Sequence, residues 1–183
     1  YMPAAQRVEQ IEFVRGGAGL MYGPQIGPVL NFVTRRADAN SETSFRTDQT
    51  MGSDGLYSTY NELNWSHNDF GLLASFDHRS ADGPRDNEDY EVKSGYSGVS
   101  YEGCKDIQLG FDLDLYQSDA GEAGRLTSQE FAADRDQVKS PFNRIEIDQV
   151  IATVKYEQQI NDESTLDASV WYSGMDRVSR RSA

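Results

Sequence analysis

From Ile107 to Tyr116 apolar and polar residues alternate without a break. Ile107, Leu109, Phe111, Leu113 and Leu115 interleave with Gln108, Gly110, Asp112, Asp114 and Tyr116. A period of two sends the two sets to opposite faces of a β-strand, whereas a helix would scatter them around its axis. The pattern recurs. Phe70, Leu72, Ala74 and Phe76 alternate with Gly71, Leu73, Ser75 and Asp77, and His78 and Arg79 are expected to run on into a loop. Val150, Ala152, Val154 and Tyr156 form a third case, and Leu166, Ala168, Val170 and Tyr172 a fourth. Leu56 to Trp65 is a weaker copy broken by Asn61, and Glu42 to Met51 is weaker still. Tyr90 to Tyr101 changes phase near Gly95 or Gly98, which predicts a bulge there. The expectation is therefore an antiparallel all-β protein with about seven strands after residue 42.

The connections alternate in length. Those at Gly52 to Gly55, Ser66 to Asp69, Glu102 to Asp106 and Asn161 to Ser164 are tight and rich in turn formers, while Ser80 to Asp89 and Ser118 to Arg144 are long and charged. Short turns on one rim and long loops on the other is the arrangement of a transmembrane β-barrel, with the first long-rim join as a short exception. The strand lengths suit it, since a tilted membrane strand needs about 9–11 residues. No window approaches the roughly 18–20 consecutive apolar residues of a spanning helix. Periodicity alone is equally compatible with a soluble sheet that has one solvated face.

Other classes are removed by charge and cysteine content. Seventeen Lys and Arg stand against thirty Asp and Glu, a formal charge of −13. Such an excess of carboxylates disfavours nucleic acid, whose binding runs on basic residues displacing counterions. One cysteine, Cys104, makes no internal disulfide, and two isolated histidines, His67 and His78, supply no metal-ligand spacing. The acidic run from Asp82 to Asp89 has oxygen donors but lacks the ligand spacing of a calcium loop and reads as a solvated loop. Both ends read as those of a piece of a longer chain: no basic stretch leads into an apolar run after Tyr1, and the sequence stops in a polar run at Ala183.

The N-terminal forty residues are the most specific. Ile11 and Phe13, then Leu30 and Phe32, alternate with their neighbours as two strands would, and between them lie Gly16, Gly17, Gly19, Gly23 and Gly27. The glycines do not form a nucleotide loop, because their spacing is wrong and no Lys-Ser/Thr follows. In order, the segment reads Val14-Arg15-Gly16, a stretch of small residues, Tyr22-Gly23, then a glycine-containing approach to Val29-Leu30-Asn31-Phe32-Val33-Thr34-Arg35. This resembles the end of the plug domain of TonB-dependent outer-membrane receptors, with Arg15, Gly16, Gly17, Tyr22, Gly23, Gly27 and Asn31 on the motif. Pro28 departs from it, standing where the family usually has a glycine, and is expected at an edge or bulge. A second stretch, Gly124-Arg125-Leu126-Thr127 followed by Phe131 and Asp134, is similar to an outer loop of the ferric dicitrate receptor subgroup.

The resemblance implies the end of a plug over residues 1–36, a linker over 37–41, and over 42–183 the first strands of a barrel that has 22 in this family. It implies a non-enzymatic transporter of the bacterial outer membrane that takes up a ferric chelate, ferric citrate above all, with iron arriving as part of the ligand and no resident cofactor or metal. The partners it implies are the TonB energy-transducing complex, contacted upstream of Tyr1, the chelate, and outer-membrane lipid. The alternatives are another siderophore, cobalamin, haem or an oligosaccharide as cargo, or an outer-membrane sensor or adhesin that does not transport. An anionic chelate calls for arginines at the outer rim. Candidates are Arg79, Arg85, Arg125, Arg135, Lys139, Arg144 and Arg177, each with a competing role in pairing with nearby carboxylates. Arg125 leads because it interrupts an otherwise acidic, glycine-containing tip. Tyr22 and Gln25 are candidates in the plug, where a structural turn role competes.

Overall fold

The fold is taken from a computed structural model, described for residues 3–16, 27–104 and 106–181. It divides into two compact units, residues 1–36 and 37–183. The smaller unit pairs β1 (Val8–Val14) with β2 (Val29–Thr34) in antiparallel fashion, Ile11 opposite Phe32 and Phe13 opposite Leu30. Cross-strand polar bonds reinforce the pair. Asn31 Nδ2 donates to Glu12 Oε2 at 2.9 Å, Arg7 Nη2 to Thr34 Oγ1 at 3.1 Å, and Arg35 Nη2 to the Gln6 carbonyl at 2.7 Å. The Arg15 guanidinium lies 4.6 Å from the centroid of the Phe13 ring. Gly16 has φ +69° and Gly27 φ +142°, backbone that glycine adopts without strain. Pro28 stands just before β2, outside the ladder, and the one register shift of the pair falls between Val8 and Gln10.

The larger unit is a seven-stranded meander in sequence order: β3 (Ser44–Met51), β4 (Tyr57–His67), β5 (Phe70–Ala81), β6 (Tyr90–Cys104), β7 (Ile107–Gly121), β8 (Arg144–Asn161) and β9 (Ser164–Arg180). Register turns the alternation of each strand into continuous rows. One runs Phe45, Leu63, Ala74, Ser97, Leu113, Ala152, Tyr172, and the next toward the tight turns runs Trp65, Leu72, Val99, Phe111, Val154, Val170. Most of this face is exposed hydrocarbon, with Phe45, Leu115 and Val170 at 68%, 49% and 74%. The opposite face is polar and cross-braced. Tyr96 donates to Asp112 Oδ1 at 2.5 Å, Lys155 pairs with the same carboxylate, and Tyr60 donates to Glu62. No helix among the described residues is long and apolar enough to cross a membrane, a statement that does not bear on strands.

Three of the four tight turns are set by residues that tolerate left-handed backbone. Asp54, Asn68 and Asp106 have φ of 55°, 52° and 70°, and Asp and Asn bear this cost best among side-chain-bearing residues.

Several expectations are corrected. His78 and Arg79 do not leave β5; they pair with Thr59 and Ser58 on one side and with Lys93 and Val92 on the other. No bulge occurs at Gly95 or Gly98, where β6 pairs without a shift; the irregularity lies between Tyr101 and Cys104. Gly98 lies on the polar face, between Leu73 and Asp112, and is glycine for a packing reason: the Tyr96 ring lies along the strand over it, and a β-carbon there would sit 2.8 Å from the ring's Cζ. β7 also runs past its expected end, through Gln117 to Gly121, and in the facing start of β8 the alternation inverts, with Ile145 and Ile147 on the face that is polar lower down while backbone pairing continues. On the face that is apolar lower down, the row His78, Lys93, Gln117, Asp148, Asp176 shows this change.

Candidate ligand site

Two long joins, 82–89 and 122–143, rise side by side from the ends of β5–β6 and β7–β8. Their bases are fixed by Arg144, whose Nη1 and Nη2 donate to Asp89 at 3.2 and 2.7 Å while Nε donates to Asp119 at 2.6 Å. The Arg144 guanidinium holds the Asp89 carboxyl below the usual carboxylate range. Backbone bonds close the bases as well: Gly121 N–H, at the end of β7, donates to the Asp89 carbonyl of the first join at 2.9 Å, and Glu122 N–H joins the two ends of the second by donating to the Asn143 carbonyl at 3.0 Å.

Inside the second join, α1 (Ser128–Ala133) starts in a capping box, with the Thr127 side chain accepting from Glu130 N–H and the Glu130 carboxylate accepting from Thr127 N–H. Lys139 Nζ lies 2.7 Å from Glu130 Oε1. Lys139 first, and then the Thr127 N–H and hydroxyl, lower the Glu130 carboxyl from 4.5 to about 2. Gln137 Nε2 donates to the Glu130 and Asp134 carbonyls at 2.8 Å each, returning the chain across the end of the helix.

Between the joins lies a cavity of about 650 Å³ whose lining includes Arg85, Arg125, Arg135, Leu126 and Phe131, with Glu88 and Asp136. Its three arginines differ in what they have left to offer. Arg85 is committed, with Nη1 donating to the Gly124 carbonyl at 3.1 Å and the Gln137 carbonyl at 3.4 Å while Nη2 pairs with Glu88, which raises its pKa. Arg135 makes one exposed contact with Asp136 at 3.3 Å, of the kind worth little in solvent. Arg125 is exposed, and no ion pair or hydrogen bond of its side chain is found among the described residues. Arginine beside Leu126 and Phe131 gives a guanidinium a partly desolvated anion to meet, which strengthens a bidentate contact. Among the described residues no three of His, Cys, Asp and Glu come together to hold a metal ion.

The sequence-derived residues therefore separate. Arg85 and Arg125 meet at one cavity, together with Arg135. Arg79 does not join them: it lies in β5 with its Nε 2.9 Å from Oδ2 of Asp77, a buried carboxylate. Lys139 and Arg144 are engaged within the loops, and Arg177 lies opposite Ile147 in β9. Arg15, Gly16, Gly27 and Asn31 belong to the smaller unit. Gly17, Tyr22, Gly23 and Gln25 lie outside the described residues. Leu126 and Phe131 enter the sequence reading only through the loop resemblance, without a role at the site, and Asn87 is passed over. Asn87 has φ +58° and Nδ2 donating to the Ser140 and Asn143 carbonyls at 2.8 and 2.9 Å. An asparagine in an acidic loop is the only local signal of it, since its partners are more than fifty residues away.

The meander, the two-faced rows and the alternation of tight and long joins define a section of the wall of an antiparallel β-barrel. No protein-family model matches the sequence. Among solved structures, the chain is similar to the ferric citrate transporter FecA in its unliganded crystal form, with a TM-score of 0.82 and 20% identity, covering 98% of this chain and 28% of that one. At that identity the likeness is one of fold. The chain spans about a quarter of that protein's length.

Proposed function

We propose that this chain is part of a TonB-dependent transporter that carries a ferric chelate, most specifically ferric citrate, across the bacterial outer membrane. Residues 1–36 are the end of its plug, 37–41 a linker, and 42–183 a section of barrel wall. The observation that carries the reading is the arginine-lined cavity at the long-loop rim of a wall similar in fold to that of a ferric citrate transporter. Arg125 and Arg135 face an anionic chelate as charge-assisted donors, and the carboxylates around them confine the positive potential to that pocket. The apolar face faces lipid. On β7 it runs from Ile107 to Leu115, nine residues, which suits a tilted strand crossing the hydrocarbon layer. The reaction is transport without covalent chemistry on the ligand, driven by the TonB complex acting on a segment before Tyr1.

The test is uptake of radiolabelled iron by cells that make the intact gene product, with and without citrate and with and without TonB. Citrate- and TonB-dependent uptake that falls at least tenfold when Arg125 and Arg135 are both changed to Gln is the expected result. Uptake confined to hydroxamate, catecholate, cobalamin or haem would retain the transporter class and discard the cargo. Binding without TonB-dependent uptake of any of them would support a sensor or adhesin instead.

A further inference from the structure

A connection of this length with little secondary structure is ordinarily a lid that orders on binding. The join 122–143 is built otherwise. Arg85, on the neighbouring join, grips it at two carbonyls thirteen residues apart, Gly124 and Gln137, at 3.1 and 3.4 Å. Asn87 grips it at two more, Ser140 and Asn143. Within the join, Lys139 and Ser140 N–H both donate to the Ala123 carbonyl, at 2.8 and 3.0 Å, and Ala123 is buried. The fit leaves no slack: a β-carbon on Gly121 would come 2.6 Å from the Asn87 carbonyl oxygen. Gly124, with φ +89°, turns the chain immediately before Arg125.

We propose that Arg85 is a positioning residue that does not touch ligand: by clamping Gly124 and Gln137 it holds Arg125 at the cavity, so the two joins form one preassembled anion-binding platform. The inference rests on the anionic-chelate reading of the cavity. Its physical basis is that Arg85 donates to the Gly124 and Gln137 carbonyls and pairs with Glu88, whereas the Arg125 fork meets no partner among the described residues. Holding Arg125 in place before the ligand arrives removes an ordering cost from binding. Lysine cannot substitute, because a single ammonium does not span two carbonyls and a carboxylate in the geometry of a planar fork.

The test uses the complete protein in outer-membrane vesicles, comparing R85Q, R85K, R125Q and R85Q/R125Q with the unaltered protein. Two quantities are read: ferric citrate affinity, and amide hydrogen exchange at Lys139 and Ser140 without ligand. R85Q and R85K are each expected to weaken binding about tenfold and to speed exchange about tenfold. R125Q should weaken binding comparably with exchange unchanged. In the double variant R85Q should add little to the R125Q defect, because Arg85 acts through Arg125. Weakened binding in R85Q with unchanged exchange would make Arg85 a direct ligand and overturn the proposal, as would additive losses in the double variant. Unchanged exchange in R85Q overturns it whatever the affinity. If the unaltered protein fails to bind ferric citrate, the cargo reading fails, and exchange in R85Q against R125Q still decides whether the clamp exists.

Discussion

The wall of the sheet and the loops above it are held by different forces. In the wall, adjacent strands share continuous backbone ladders, and side chains need only alternate between an apolar and a polar face. In the loops, backbone pairing gives way to side chains reaching for distant carbonyls: Arg85 across 39 and 52 residues, Asn87 across 53 and 56. The wall thus depends mainly on which face a side chain takes, close-packed sites such as Gly98 apart, while the loops depend on a few individual polar groups.

The sharpest way to break this contrast is to put one charge on each face of the wall. Leu113→Arg, on the apolar row, is expected to destabilise the barrel by about 2–4 kcal/mol, as a charge at mid-membrane depth does. Thr153→Arg, in an adjacent row of the polar face, should cost under about 1 kcal/mol. Urea unfolding in lipid vesicles reads both, and equal costs would remove the assignment of the apolar face to lipid. A smaller effect is expected where wall becomes loop. Arg144→Ala removes the bonds to Asp89 and Asp119 and should cost about 1–2 kcal/mol, with new proteolytic cleavage confined to 82–89 and 122–143. Cleavage in the tight turns instead would show that the two rims respond alike.

The smallest effect is that of acid on α1. The Glu130 carboxyl is lowered in the folded loop from 4.5 to about 2, so its contribution is fully present above 4.5 and is lost as pH falls through about 2. Protection of the Phe131 and Asp134 amides, whose N–H groups bond to the Thr127 and Glu130 carbonyls, measured as exchange relative to the intrinsic rate at each pH, should therefore fall between pH 4.5 and 2. Glu130→Gln should flatten that dependence. An unchanged profile in Glu130→Gln would place the acid response elsewhere.

The same contrast explains what could be read from the chain alone. Ile107 to Leu115 announced β7 because alternation is local, and Asn68 and Asp54 announced turns because their backbone preference is local too. The end of β7 was not legible, since Gln117 and Asp119 are polar on the face that is apolar lower down, and only a paired neighbour shows the strand continuing. Gly98 misled for a related reason, because its meaning lies in the Tyr96 ring above it. At the candidate site, Arg125 stood out through its acidic surroundings, but the commitment of Arg85 to two backbone carbonyls has no trace in its neighbours. Arg79 looked equivalent to Arg85 from sequence and differs because it remains in a strand beside Asp77.

The ladder register has one more consequence. Tyr57, Asp119 and Glu146 lie in one row, yet ten residues separate Tyr57 from its turn at His67, twelve separate Asp119 from Ile107, and fifteen separate Glu146 from Asn161. If those hairpin tips lie level at an interface, the ladder slips by about five residues over four strand spacings, a rise of roughly 16 Å over roughly 19 Å. The strands then lean at about 40° to the cylinder axis, inside the 35–45° range of outer-membrane barrels.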